Sequence, residues 1–165
     1  MNARAFARYT LKSAVLAATL NGPCSWATEP APAITAAQAL AAYDRFNAAP
    51  EANLQDAPTF LKFMQNGAVH TVLNSNVVFW MYRDVPSDVQ AVLYAAYMGG
   101  NLDSQLRTRK QGDDPEAGMR AALSAYDALK KTHAKLTLPE LEALRKAQSA
   151  GALGPALAKL AEGRP

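Results

Sequence analysis

Few side chains of the types that most often carry catalysis or bind metal occur in this sequence. It contains two histidines, His70 and His133, and one cysteine, Cys24. Neither histidine stands in a His-Glu-x-x-His or His-x-x-Glu-His frame, in which a pair of histidines on one helix face binds zinc. The sequence also lacks a Gly-x-Ser-x-Gly nucleophile turn, a phosphate-binding glycine loop and a dinucleotide fingerprint. We therefore assign no catalytic residue, no metal ligand and no cofactor, and we expect His133 to lie exposed near a helix end.

Paired carboxylates are present, but each pair stands where a helix is predicted to begin. The pairs are Asp113/Asp114 and Glu140/Glu142. Acidic side chains at a helix start cap free backbone N–H groups and interact favourably with the helix dipole. Capping therefore explains these pairs better than general acid–base catalysis does.

The strongest candidate for a binding site is the segment Val69–Arg83. The spacing of its apolar residues predicts a helix at the centre of the domain, although its β-branched and aromatic composition favours a strand. On that helix Asn76, Trp80 and Arg83 would share one face, with His70 nearby. One interpretation is structural: Asn76 fixes a neighbouring helix end, and Arg83 pairs with a carboxylate. The other is functional: these four residues line a pocket or contact a partner, since Trp and Arg concentrate binding energy at interfaces.

The remaining segments that would position this site have the periodicity of helices. Thr35 and Gln38 form a capping-box pattern, and Thr137 with Glu140 forms a second one. Pro58 suits a first helical turn, and Asn66-Gly67 suits a helix end. Gly99-Gly100 lies inside a helical pattern, where close helix packing explains it better than ligand binding. We predict an all-α domain, a compact bundle of about six or seven short helices. A short stack of helical hairpins, similar to tetratricopeptide arrays, is the alternative.

The first 27 residues have the order of zones found in a secretory signal peptide. A basic stretch without acids precedes the uncharged run 13–20, and Ser25-Trp26-Ala27 supplies small residues for cleavage after Ala27. The proline before Cys24 disagrees with a lipoprotein cleavage site. The predicted organisation is a signal peptide at 1–27, a Pro/Ala linker at 28–34 and a single helical domain at 35–163. We expect a periplasmic or secreted protein without stable membrane insertion after cleavage.

Cleavage would change both the charge and the redox chemistry of the chain. The whole chain has 17 Lys and Arg against 14 Asp and Glu. Removing residues 1–27 would remove three basic groups and no acidic group, which leaves 14 of each. A neutral chain has no overall field that would attract nucleic acid. The only cysteine would also be lost, so the exported domain could form no disulfide.

Three classes of function fit these observations. The first is an exported interaction or binding module with an envelope or secreted protein partner. The second is a small-ligand-binding protein or enzyme with a site around Asn76 and Arg83, since sites converge in space rather than in sequence. The third is a structural envelope component that self-associates through a helix face such as Val89/Leu93/Tyr97. The sequence favours the first class and leans away from an enzyme.

Overall fold

The structure is a computed structural model that describes residues 33–163 of the chain. The predicted signal peptide, its cleavage point after Ala27 and most of linker 28–34 lie outside the described residues. The described part contains six α-helices and no strand, as predicted. They are α1 (Ala36–Ala48), α2 (Ala57–Phe63), α3 (Ser87–Arg107), α4 (Pro115–Thr132), α5 (Pro139–Ser149) and α6 (Leu153–Ala161). Not one of them is both long and apolar enough to cross a bilayer.

The bundle is organised around α3, the longest helix of the described part. This helix contacts α1, α2 and, most extensively, α4. Twelve of its 21 residues are buried, including Val89, Leu93 and Tyr97. The face that would have supported self-association is therefore inside the domain. A helix that contacts three others belongs to a compact bundle rather than to an array in which each repeat touches only its neighbours.

Small residues allow α3 and α4 to approach closely. A Cβ atom at Gly100 would lie 2.6 Å from the carbonyl oxygen of Ala117, and one at Gly118 would lie 2.8 Å from the carbonyl oxygen of Tyr97. Gly99-Gly100 does not interrupt α3, which continues unbroken to Arg107. The prediction that this pair serves close packing is confirmed.

Several local signals in the sequence act as predicted. Thr35 caps α1 in a complete capping box with Gln38. Asp114 caps α4 by accepting a hydrogen bond from the Ala117 amide at 3.2 Å. Gly67 takes a left-handed conformation (φ 78°) after α2, which only glycine adopts without strain.

The second predicted capping box, Thr137 with Glu140, does not form. Helix α5 begins at Pro139, its N-cap position is occupied by Leu138, and no side chain caps it. Glu140 instead accepts a hydrogen bond from Arg83, far along the chain. The Glu140 carboxylate therefore forms a tertiary ion pair with Arg83 instead of the local hydrogen bond that the capping box requires.

The prediction that Val69–Arg83 is a central helix is wrong. The chain is non-helical from Val69, turns at residues 75–78 and forms only one 3₁₀ turn, Phe79–Tyr82. The Asn74 side chain gives the physical reason, because its Oδ1 accepts a hydrogen bond from the Asn76 amide at 2.9 Å. Such a local side-chain bond competes with the helical pattern. The predicted apolar stripe also divides: Val69, Val77 and Trp80 are buried, whereas Val72 and Leu73 are exposed.

Candidate functional site

The 3₁₀ turn Phe79–Tyr82 separates two inward side chains from two outward ones. Phe79 and Trp80 are buried, and their ring centroids lie 5.3 Å apart in an edge-to-face arrangement. Trp80 also meets the ring of Tyr97 on α3 at 6.2 Å. Met81 and Tyr82 point outward and are 38% and 74% exposed. The buried pair thus fixes the turn on the bundle and holds the other two in solvent.

An open groove of about 630 Å³ lies beside this turn, and we call it the Arg83 groove. Its apolar walls include Phe79 and Leu160, and its polar rim is formed by Ser75, Asn76, Tyr82, Arg83 and Glu140, with Gly163 at the end of the described chain. The structure therefore brings Asn76 and Arg83 together, as the pocket interpretation expected. It does so through a turn rather than through the shared face of a helix.

Three polar side chains of this rim, those of Asn76, Arg83 and Glu140, are already held in place by the fold. The Asn76 side-chain amide donates to the carbonyl oxygen of Ala161 at 3.3 Å, at the end of α6. Arg83 forms an ion pair with Glu140 on α5, and its backbone carbonyl accepts from Gln90 Nε2 at 3.0 Å. These contacts match the structural interpretation of both residues, and they also pre-position an amide, a guanidinium and a carboxylate at the edge of one groove.

The other two predicted site residues lie elsewhere. Trp80 is fully buried against Phe79 and Tyr97, so it presents no surface to a partner. His70 is absent from the groove lining and has an exposed side chain. The hydrogen bonds of His70 are made by its backbone. Its amide donates to Gln105 Oε1 at 3.0 Å, and Gln105 Nε2 donates to its carbonyl oxygen at 2.6 Å.

Exposed large apolar side chains are concentrated in the segment 69–83. In residues 33–163 those on the surface are Val72, Leu73, Met81 and Tyr82. All four belong to the segment 69–83, which the apolar spacing had predicted to be a central helix; Val72 and Leu73 lie in its extended part, and Met81 and Tyr82 lie in its 3₁₀ turn. They are neighbours along the chain, and they border two different cavities, since Tyr82 lines the Arg83 groove and Val72 lines a second pocket.

A buried polar network on α3 was not anticipated from the sequence. Asn101 is fully buried, accepts from Gln105 Nε2 at 2.5 Å and from the Asp114 amide at 3.3 Å, and donates to Asp113. Ser104 donates to Asp114 Oδ2 at 2.5 Å. The one signal available in the sequence was that Asn101, Ser104 and Gln105 fall at helical spacing beside apolar positions.

Asp114 is the charged member of this network. Burial raises the pKa of its carboxyl group. Hydrogen bonds from Ser104, Lys110 and the Ala117 amide lower it by more than burial raises it, so the pKa lies below its ordinary value. The Lys110 ammonium lies 3.0 Å from Asp114 Oδ2. The ionised carboxylate thus joins α3, the loop after it and the first turn of α4.

Within residues 33–163, one group of side chains has the types and spacing that a metal ion needs. The ligand atoms of Glu51, Asp88 and His133 lie within 4.8 Å of one another. Glu51 already uses both carboxylate oxygens, one 3.0 Å from His133 Nε2 and the other accepting from Thr132 Oγ1 at 2.7 Å. These bonds, that of Thr132 most strongly, lower the pKa of Glu51. The contacts of Glu51 therefore link the end of α4 to the chain after α1, with Asp88 of α3 nearby, and no spacing in the sequence pairs these three residues.

Comparisons with known proteins add no family to this description. The chain matches no protein-family model, and neither curated proteins nor solved structures contain a significant match to it. The class of protein is therefore defined by the fold alone, an all-α helical bundle, and the function has to be argued from its surface.

Proposed function

We propose that this chain is an exported binding module, whose helical domain holds a protein partner against the segment 69–83. The observation that carries the proposal is the grouping of Val72, Leu73, Met81 and Tyr82 on that segment. Exposing these side chains opposes the hydrophobic effect, and a partner that covers them removes the unfavourable hydration. The buried Phe79 and Trp80 hold Met81 and Tyr82 outward, so little ordering is needed when the partner binds.

The Arg83 groove indicates which part of a partner would bind. Phe79 and Leu160 offer an apolar surface for one inserted side chain, while Asn76, Arg83 and Glu140 offer polar groups at its edge. An extended segment of an envelope or secreted protein has both features, an apolar side chain and backbone polar groups. Tyrosine and arginine, which are Tyr82 and Arg83 here, are the types that contribute most at such interfaces.

The proposed location follows from the N-terminal sequence. Residues 1–27 contain a basic zone, an apolar zone and small residues in the order of a signal peptide. Export to the periplasm or the medium would leave a domain without cysteine and without net charge, which suits an oxidising compartment and argues against nucleic acid as the partner.

Site-specific cross-linking in the producing cells tests the binding surface. A photo-reactive phenylalanine analogue replaces Tyr82 in one version of the full chain and the exposed Ser124 on α4 in a matched control. We expect one defined protein to cross-link from position 82 and not from position 124. The purified partner should then bind the wild-type chain at least about tenfold more tightly than Tyr82→Ser, the loss typical of an interface anchor.

Two results would contradict the proposal. Equal cross-linking from both positions would show non-specific contact, and full affinity of Tyr82→Ser would place the binding surface elsewhere. The intact mass of the same purified chain tests export separately. A mature protein beginning at Thr28 supports cleavage after Ala27, whereas a full-length chain in the cytoplasm contradicts it.

A further inference from the structure

A second pocket, of about 380 Å³, lies on the other side of the segment 69–83. We call it the Tyr97 pocket, since that ring is the most deeply buried part of its lining. Val72, Val77, Leu157 and Ala161 form its apolar wall, and Asp113 with Glu116 form its acidic rim. This pocket and the Arg83 groove have no lining residue in common.

Tyr97 gives the pocket an unused polar group. The residue is 1% exposed, and its hydroxyl takes part in none of the hydrogen bonds within residues 33–163. Its oxygen is not among the atoms there that are closed off from solvent without a partner, so it can be reached from outside. Its ring packs against Trp80 on one side and against Gly118 of α4 on another. Because this nearly buried side chain lines a cavity and its hydroxyl has no protein partner, the hydroxyl is available to a ligand that enters the cavity.

The charges around Tyr97 determine which ligand is compatible. Burial raises the pKa of its hydroxyl, and the nearby Asp113 and Asp114 raise it further, so the phenol is neutral at physiological pH. Three carboxylates, those of Asp113, Asp114 and Glu116, line the pocket. Lys110 forms an ion pair with Asp114 and Arg120 forms one with Glu116, so the charge of Asp113 is the one left without a counter-ion within residues 33–163. An anionic ligand would be repelled by this excess of negative charge, whereas a cation would be attracted.

The free hydrogen-bond acceptors at the rim of the pocket also favour a cationic ligand. Asp113 uses one carboxylate oxygen to accept from Asn101, and Glu116 uses Oε1 to accept from Arg120. Each therefore has a second oxygen that makes no hydrogen bond within the described part of the chain. Asp114, in contrast, is engaged by Ser104, Lys110 and the Ala117 amide. Two free carboxylate oxygens and one free hydroxyl oxygen are acceptors, and a protonated amine has three N–H donors.

We propose that the Tyr97 pocket binds a small primary amine in its ammonium form, with the apolar body of the ligand against Val77 and Leu157. The ammonium donates to Asp113 and to the Tyr97 hydroxyl oxygen, and it lies within the field of Glu116. This site takes a different class of ligand from the proposed partner surface. The two share Val72, whereas Tyr97 and Asp113 belong to the pocket alone, so substitutions at these two residues distinguish the proposals.

Calorimetric titration of the full chain with three probes of equal length tests the proposal. We expect hexylamine to bind, hexanol to bind at least about tenfold more weakly, and hexanoate not to bind, since a hydrogen bond to a charged group contributes about a factor of ten or more. Tyr97→Phe keeps the ring and removes only the hydroxyl, and Asp113→Asn keeps an acceptor for Asn101. Each should weaken hexylamine binding about tenfold or more.

The matched control is Asp103→Asn, which changes a carboxylate on α3 that does not line this pocket. It should leave the affinity for hexylamine unchanged. Equal binding of hexylamine and hexanol, no binding of hexylamine, or full binding by both pocket variants would overturn the proposal. If a variant fails to fold, amide chemical shifts of the wild-type chain decide instead. Hexylamine must then perturb residues 113–116 and 157–161 rather than the Arg83 groove.

Discussion

The Gln105 side chain pairs with the backbone of His70 much as a neighbouring strand would. Its Nε2 donates to the His70 carbonyl at 2.6 Å, and its Oε1 accepts from the His70 amide at 3.0 Å. The same Nε2 also donates to the buried Asn101. One side chain therefore connects the start of the segment 69–83 to the polar network inside the bundle.

Gln105→Ala should destabilise the domain by about 1–3 kcal/mol, because two backbone groups of His70 lose their partner and Asn101 loses one. Gln105→Glu should cost a similar amount, since a carboxylate cannot donate to the His70 carbonyl. Urea unfolding followed by circular dichroism measures both. Gln148→Ala, at an exposed position on α5, is the control and should change stability by less than about 0.5 kcal/mol. Equal midpoints for Gln105→Ala and the control would show that the pairing contributes nothing.

Gly100→Ala should also destabilise the domain, although alanine favours a helix over glycine by about 1 kcal/mol. The added Cβ would lie 2.6 Å from the carbonyl oxygen of Ala117 and 2.7 Å from the Ala121 Cβ, so α3 and α4 would have to separate. Overpacking of this kind costs about 1–3 kcal/mol. Thermal unfolding measures the change.

Gly154→Ala on α6 is the matched comparison for Gly100→Ala. There the new Cβ meets only the end of the Glu116 side chain, at 3.1 Å, which can move aside. This variant should be neutral or slightly stabilising. A stabilised Gly100→Ala would mean that the two helices are not in close contact.

Local chemistry explains which parts of the fold the sequence predicts well. The Thr35 cap, the Asp114 cap and the turn at Gly67 each depend on residues within three or four positions, and all three form. The segment 69–83 contains two competing signals. Helical spacing of apolar residues is a global pattern, and the Asn74 side chain provides a local bond that ends it. In the structure the Asn74 bond and the left-handed Gly67 before it keep this segment from continuing as a helix.

The candidate site was less accessible from the sequence because its members are joined by tertiary contacts. Asn76 and Arg83 were singled out as possible binding residues, but the sequence does not show that Arg83 meets Glu140 on α5. Asn101 and Tyr97 have the spacing of core residues on α3. Only the folded arrangement of α3 and α4 places Asn101 against Asp113 and places Tyr97 in a pocket lined by carboxylates.

Trp80 and Tyr82 are two residues apart and should respond oppositely to substitution. Trp80→Ala removes a fully buried indole and should cost about 3–5 kcal/mol, whereas Tyr82→Ser, at a position that is 74% exposed, should change stability by less than about 0.5 kcal/mol. Chemical denaturation of the two variants beside wild type measures this. A Trp80→Ala variant of wild-type stability would contradict its burial, and an unstable Tyr82→Ser would make it unsuitable as a test of partner binding.

Asp114 should make the domain sensitive to acid. Its pKa is lowered in the folded state, so its carboxylate stabilises the fold above the pKa of the unfolded chain, about 3.9. That contribution is lost as the pH falls through the lower, folded pKa. Asp114→Asn keeps a side-chain oxygen for the Ala117 amide but loses the charge that faces Lys110. The variant should therefore be less stable than wild type at pH near 7, with the difference shrinking as the pH falls to about 3. Urea midpoints across that range, compared with those of Asp84→Asn at an exposed carboxylate before α3, measure the effect. A gap between wild type and Asp114→Asn that stays constant with pH would show that the Asp114 carboxylate gains nothing from being ionised in the fold.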